Sequence, residues 1–331
     1  DSAMSVRALT AIGADNEADG FRRFIQRSAA GSARDLQIMY GLGGERRLTE
    51  VKLDRLDGYE HSRPVRIGNA ASEQLQLDAY GTLVDLSWRW NRRGHSPDDD
   101  YWRFIVDLVD VAAERWREPD RGIWEIRDDP QHFVHSKVMC WTALDRGIKL
   151  ATECLRKAPL ARWQRVRNQI HEAVMSKGVD KRRGVFVQAF GSRNIDASLL
   201  LLPMAGFVDF DDPLMVKTAD AIVEDLEEKG LILRYRVSRT NDGLSGKEGT
   251  FLACTFWLAE VLARQDRIDE AHHFFDRASS TATELGLFAE EFETSSERLL
   301  GNFPQALTHL SHIAAAVALS RGTGDLKSET Y

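Results

Sequence analysis

Cysteine is nearly absent from this chain: Cys140, Cys154 and Cys254 stand far apart, fall within helical patterns and form no Cys-x-x-Cys pair. That excludes a disulfide scaffold and a thiolate metal centre, and leaves the three as small buried apolar residues of a reducing compartment. Also missing is any run of about eighteen apolar residues, so no membrane-spanning helix is expected. The first residues lack a basic stretch, an apolar block and a cleavage site, so no secretion signal is expected either. No basic stripe stands out: 44 Lys and Arg are mixed with 51 Asp and Glu for a net charge of −7, which argues against a nucleic-acid partner. These absences predict a cytoplasmic protein with no membrane partner and leave a homo-oligomer open. The chain opens without Met, at Asp1 and already in a helical pattern, which reads as a fragment whose natural beginning is missing.

Metal and cofactor signals are thin as well. The pairs His132 with His135, His309 with His312, and His272 with His273 have no evident third ligand, so no metal is expected. His135 and His309 fall near the loops discussed below, where hydrogen bonding to a carboxylate or a sugar is the expected role. The turn-rich stretches SRTNDG and GLGG lack the spacing of a nucleotide loop, and no cofactor is expected.

What is abundant is helical periodicity. Segments near 3–12, 69–88, 135–150, 196–206, 251–263 and 304–318 are apolar or small almost all round, the mark of helices covered on every side. Between them, segments near 15–28, 99–116, 160–176, 212–228 and 267–285 carry charge on one face. In the fourth of these, Met215, Ala219, Ile222, Val223 and Leu226 form one apolar stripe while Lys217, Asp220, Glu224 and Glu227 fall elsewhere. At 331 residues the chain is too long for one ordinary core, which leaves two domains or one large closed architecture. Inner helices alternating with outer ones predict the closed form, an all-α (α/α)6 toroid over residues 1–331. Its first outer helix would precede Asp1, and 321–331 would be a frayed tail. DLQIMY (Asp35–Tyr40) and VFVQAF (Val185–Phe190) are candidates for local pairing, without enough alternation for a sheet-based fold.

In such a ring the inner helices run the same way, so the loops entering them gather at one mouth. Those loops carry unusual residues, whereas the exits, such as Ala11–Asp15 and Arg264–Arg267, are short and ordinary. In Arg121–Lys137 a Trp-Glu pair, Trp124 and Glu125, sits in a loop before an apolar helix. An apolar wall disfavours the charged form of a carboxyl, making Glu125 a candidate proton donor. A second carboxylate pair, Glu290 and Glu291, closes the GLFAEE loop before the last inner helix. Two carboxyls facing one cavity are what cleavage of a glycosidic bond requires. Trp124 is the indole expected under a sugar ring. Arg63, Arg66 and Asn69 lie in another mouth loop, as binders of sugar hydroxyls or as braces of the loop itself.

The ordered set DLQIMYGLGGER, GYEHSRPVRIGNAASEQLQLDAYG, GIWEIR with HFVHSKVMCWTALDR, DASLLLLP, LRY, KEGTFLACTFWLAE, GLFAEEFE and GNFPQALTHL resembles glycoside hydrolase family 15 over essentially the whole chain. That family contains glucoamylases, glucodextranases and bacterial trehalases. The resemblance implies an inverting, exo-acting hydrolase of α-glucosidic bonds that releases glucose from an oligosaccharide or disaccharide. It makes Glu125 the general acid and Glu290 the general base. It further implies that Asp1 belongs to an Arg-Asp pair clamping the terminal glucose, and that Arg234 of LRY is a second clamp. The chain departs from the family at Ile126, where fungal members carry a second Glu, and at Glu291, where Gln is common. Ser295, Ser296 or Arg298 are candidates for keeping Glu290 charged, and inversion predicts carboxyls roughly 6.5 to 9.5 Å apart.

Taken locally, a Trp-Glu pair also fits a helix cap or an ion pair with Arg127, and Glu290 an acidic solvated loop. Two other readings of the whole chain stand beside hydrolysis. One is a glycoside phosphorylase on the same architecture, which would replace the base carboxylate by a phosphate pocket. The other is a non-catalytic carbohydrate-binding fragment.

Overall fold

The computed structural model describes residues 2–29, 31–237 and 248–322. Asp1, the SRTNDG stretch and residues 323–331 of the expected tail lie outside the described residues. Ten α-helices are present among them. They are α1 (Ser2–Ala11), α2 (Asp15–Ala29), α3 (Asp78–Arg92), α4 (Asp99–Arg115) and α5 (Val134–Glu153). The rest are α6 (Leu160–Lys177), α7 (Pro213–Leu226), α8 (Leu252–Arg264), α9 (Ile268–Ser279) and α10 (Ala306–Gly322).

The inner segments close on themselves. Helix α1 touches α3 and α10, α3 touches α5, α5 touches the turn Ala197–Leu201, that turn touches α8, and α8 touches α10. Outside this ring α2 lies on α1, α4 on α3 and α5, α6 on α5, α7 on the Ala197–Leu201 turn and α8, and α9 on α8 and α10. This is the (α/α)6 toroid that the two helix classes predict. The classes differ in burial as expected at α8 and α9, whereas inner α1 buries only Val6 and Ala8. Leu252 to Ala263 of α8 are all buried. Outer α9 buries only Ala271, Phe274 and Ala278, one stripe at helical spacing. Caps set the outer starts: Asp98 accepts from the Tyr101 amide at 2.8 Å, and Asp212 from Leu214 at 2.8 Å ahead of Pro213.

One inner helix differs from the expectation. The stretch near 196–206 forms only a 3-10 helix, Ala197–Leu201, followed by turns. Pro203 has no amide to continue a helix, and Gly206 takes φ +75° three residues later. The expected helix near 69–88 begins later, at Asp78, after a 3-10 turn at Ala70–Glu73 capped by Asn69.

The strands are short and local. Antiparallel pairs join β1 (Val51–Lys52) to β2 (Arg66–Ile67), β3 (Val179–Asp180) to β4 (Val185–Phe186) and β5 (Glu227–Glu228) to β6 (Leu231–Ile232). A three-stranded sheet holds β7 (Thr250–Phe251), β8 (Glu291–Glu293) and β9 (Arg298–Leu300), with Phe251 opposite Glu291 and Glu291 opposite Leu300. VFVQAF therefore pairs locally, while DLQIMY forms no strand.

Charges bury in networks that tie inner segments together. Arg146 bonds Asp85 at 2.8 Å, Asp145 at 2.6 Å and the Ala205 carbonyl at 2.9 Å, linking α3, α5 and the loop after Ala197–Leu201. Burial alone would raise the Asp85 carboxyl, but Arg89 and Arg146 outweigh it and hold it below its usual range. Glu260 of α8 pairs with Arg7 of α1 and with Arg264.

The backbones of α3 and α5 approach closely, and a Cβ on Gly81 would stand 2.1 Å from the Met139 carbonyl oxygen. Backbone cannot retreat as a side chain can. Gly81→Ala is therefore expected to cost about 2–3 kcal/mol or more by overpacking, read as a lower urea midpoint at unchanged slope. An unchanged midpoint would mean that the two helices slide apart freely.

Candidate active site

Glu125 owes its position to its backbone. It adopts φ +54°, in the left-handed region that a residue with a side chain enters only when neighbours hold it there. The Gln74 side-chain amide does so, donating to the carbonyls of Glu125 at 3.2 Å and Ile126 at 3.3 Å. Within the loop, the Glu125 amide reaches the Gly122 carbonyl at 3.3 Å and the Ile126 amide reaches Arg121 at 3.3 Å. The loop's base is anchored by Asp120, which exchanges two backbone bonds with Gln131 at 2.9 Å each. On the side chain, Asn69 Nδ2 donates to Glu125 Oε2 at 3.3 Å. Arg127 bonds Glu50 at 3.1 Å, not Glu125, so the ion-pair reading of the Trp-Glu motif does not hold.

Glu290 is held from a different side of the ring. Its amide donates to the Asn302 carbonyl at 3.0 Å and its carbonyl accepts from Leu252 at 3.1 Å, fixing the residue between the β7–β8–β9 sheet and the start of α8. Glu290 Oε2 accepts from the Asn302 amide at 2.9 Å and from Asn302 Nδ2 at 3.1 Å. Two N–H donors thus converge on one carboxyl oxygen and fix the side chain's direction. Gly301 permits this contact: it takes φ +71°, and a Cβ there would lie 2.6 Å from Glu290 Oε2. Asn302 bonds the carboxyl for which Ser295, Ser296 or Arg298 were the expected partners, and Ser296 instead donates to Glu293.

Glu125 and Glu290 line one cavity of about 810 Å³, together with Asn69, Asp78, Trp124 and Arg234. That is ample for a disaccharide. Trp124 packs against Trp257 at 5.9 Å and edge-on to Phe251 at 5.5 Å, and its Nε1 donates to both oxygens of buried Asp196 at 2.9 and 3.0 Å. Trp257, buried within α8, is also a cavity wall. Arg234 makes a two-pronged bond to Glu248, with Nε to Oε2 at 2.8 Å. Burial works against its charge, but that bond more than offsets it and keeps the guanidinium firmly protonated.

His135 also lines the cavity; its Nδ1 is enclosed without a hydrogen-bond partner, and burial pushes it down to about 4, so the ring is neutral at pH 7. His309 is used differently from the expectation, its Nε2 accepting the Phe288 amide at 3.2 Å. Arg66 is not among the cavity-lining residues: it pairs with Glu50 at 3.2 Å and braces its own loop. Arg63 likewise pairs with Asp57. The expected Asp1 clamp lies outside the described residues. Sequence reasoning passed over Gln74, Asp78, Asp120, Glu248 and Asn302. Asn302 in the GNFPQ motif, Glu248 in KEGTFLACTFWLAE, and Gln74 and Asp78 in NAASEQLQLDAYG carried a signal there, whereas Asp120 lay outside the motifs.

The model of the family "Glycosyl hydrolases family 15" matches residues 1–317. The chain belongs to glycosyl hydrolase family 15. Among relatives of this family 15 chain, a trehalase from Mycolicibacterium smegmatis is 45% identical over 99% of this chain and 49% of its own length. A trehalase from Thermoplasma acidophilum is 37% identical over 96% of this chain and 54% of its own. The chain thus spans about half the length of the relatives it matches. A solved glycosidase, E335A in complex with glucose, superposes with TM-score 0.74 at 21% identity, covering 96% of this chain and 86% of that one. A bacterial glucoamylase complexed with acarbose gives TM-score 0.73 at 13% identity, covering 97% and 48%. Those likenesses establish the toroid independently of sequence. No helix among the described residues is long and apolar enough to cross a membrane.

Glu291, the departure from the family's Gln, is buried beside Glu248. Burial first, then Glu248 and more weakly Glu290, push its carboxyl up to about 7 against the opposing Gly249 amide and Arg234. A folded value above the unfolded one means that this stabilisation is complete below pH 4.5 and is lost as pH rises toward 7. Glu291→Gln keeps an acceptor for the Gly249 amide, 3.0 Å from Oε2, without the charge. It is expected to match the parent near pH 4.5 and to be more stable at pH 8 by on the order of 2 kcal/mol in urea titrations. A variant less stable than the parent at pH 8 would contradict the assigned environment.

Proposed function

We propose that residues 1–331 are one (α/α)6 catalytic domain of an inverting, exo-acting α-glucoside hydrolase, with trehalose as its preferred substrate and glucose as its product. The observation that carries this is the shared cavity: Glu125 and Glu290 reach it from separately braced loops. The relatives named trehalase support the choice of disaccharide over longer glucans. A small intracellular saccharide also fits the cytoplasmic reading of the composition.

In the reaction, Glu125 gives its proton to the glycosidic oxygen as the bond from that oxygen to the anomeric carbon breaks. Glu290 takes a proton from water, whose oxygen bonds the same carbon from the opposite face. One water is consumed, and the two carboxyls end with exchanged protonation. The two Asn302 donors hold Glu290 in one direction, as a base that must meet a water requires. Asn69, bonded to Glu125, orients the acid; it and Arg234 are placed to meet sugar hydroxyls. Trp124, braced by Asp196, supplies the apolar wall for a ring, and neutral His135 offers a hydrogen-bonding nitrogen without charge. Asp1 completes the glucose clamp in this reading. A phosphorylase would need a phosphate pocket where Glu290 stands, so the retained carboxylate favours hydrolysis.

The full-length protein is expected to hydrolyse trehalose more efficiently than maltose or isomaltose. Glu125→Gln and Glu290→Gln should each lower kcat by about 10²–10⁴. A glucoside with an acidic leaving group, such as 4-nitrophenyl α-glucoside, should restore much of the rate to Glu125→Gln but not to Glu290→Gln. Unchanged turnover in either variant would remove that residue from its role, and a parent inert on every glucoside would overturn the reading.

A further inference from the structure

Two acidic side chains at the foot of the Glu125 loop are not used by the reaction above. Asp120 Oδ2 collects three donors: the Leu77 amide at 3.1 Å, the Gly122 amide at 3.3 Å and Ser136 Oγ at 2.7 Å. One carboxyl oxygen thereby joins the start of α3, the acid loop and α5. Its other oxygen, Oδ1, is enclosed and has no hydrogen-bond partner. Asp78 follows Leu77 directly, lines the cavity, and also has an enclosed Oδ1 without a partner.

Asp120 holds the amide of Leu77, the residue before Asp78, so two ionised carboxylates here, each with an oxygen sealed from water and donors, would carry both a desolvation cost and a mutual repulsion. One proton placed between them removes both costs. We propose that Asp78 and Asp120 hold a single proton between them, with Asp78 the protonated partner, and that this pair positions the Glu125 loop; the catalytic part of this rests on the function proposed above.

The surroundings agree. Burial, then Asp120, raise the Asp78 carboxyl to about 7, with Glu125 adding to the push. Burial also raises Asp120, although Ser136, Lys137 and the two amides favour its charge. From α5, Lys137 faces Asp120 and Cys140 faces both, the thiol being pushed by burial up to about 12 and so neutral. His135, from the same helix, is neutral in the shared cavity. Asp120 is the member beside a cation and three donors, so the proton rests on Asp78. Loss of that proton at higher pH puts a second negative charge at the root of a loop already held at φ +54°. Asp78 is then a positioning residue, acting on Glu125 through Asp120.

Asp78→Asn tests this in the full-length protein, since an amide at position 78 stays uncharged at every pH. The alkaline limb of the variant's kcat/KM profile should lie about one pH unit or more above the parent's. A limb left where the parent has it, or a loss above about 100-fold near pH 5.5, would overturn the proposal. Carbon-13 NMR of labelled aspartate carboxyls reads the proton without any turnover. One carboxyl should titrate near neutrality in the parent and be missing from Asp78→Asn; a parent with every aspartate ionised near pH 5.5 would overturn the shared proton. A parent that shows the titration yet cleaves no glucoside would sink the hydrolase reading alone.

Discussion

A helix that is apolar on every side must be covered on every side, and for α8 the cover is α9 outside, α10 on one flank and the Ala197–Leu201 turn on the other. Each inner segment faces the same demand, and a ring meets it without leaving an end exposed. Ring closure has a geometric result: the loops entering the inner segments converge, and polar groups excluded from the core collect where they meet. The cavity is therefore a consequence of how apolar surface is hidden. Its depth along α3 brings Asp78 and Asp85 into its wall.

Within that cavity the two carboxyls are held by unlike means, and the difference fits their proposed roles. Glu125 sits on a backbone turned into the left-handed region and pinned by Gln74, with its side chain accepting a single hydrogen bond among the described residues, from the Asn69 amide. Glu290 sits on sheet-supported backbone, and its oxygen collects two donors from Asn302. A group meant to give up a proton is best left with few donors. One meant to stay charged is best given several. The same logic recurs at Arg234, where the two-pronged bond to Glu248 fixes charge in place, and fails at Asp78, where an orphaned oxygen calls for a proton.

The fold was largely legible because it rests on periodicity, a local property. Inner and outer helices could be told apart from one apolar stripe against all-round apolarity. The exception, residues 196–206, is one where the apolar run DASLLLLP hid the breaking effect of Pro203 and Gly206. The site was half legible. Glu125 and Glu290 stood out beside the turns and aromatics of their loops, and both line the cavity. Their partners did not stand out, because a bond such as Asn69 to Glu125 spans 56 residues and Asn302 lies past a strand turn from Glu290. Arg66 shows the converse: a cation in a mouth loop resembles a ligand until its own loop supplies Glu50.

The central claim is that Glu125 and Glu290 act on opposite faces of one bound sugar, and the stereochemistry of the first product reports this most directly. Trehalose hydrolysis by the full-length protein, followed by proton NMR before mutarotation, should give α- and β-glucose in equal initial amounts, one from each half of the disaccharide. Initial release of α-glucose alone would mean retention, and would contradict the account at its root.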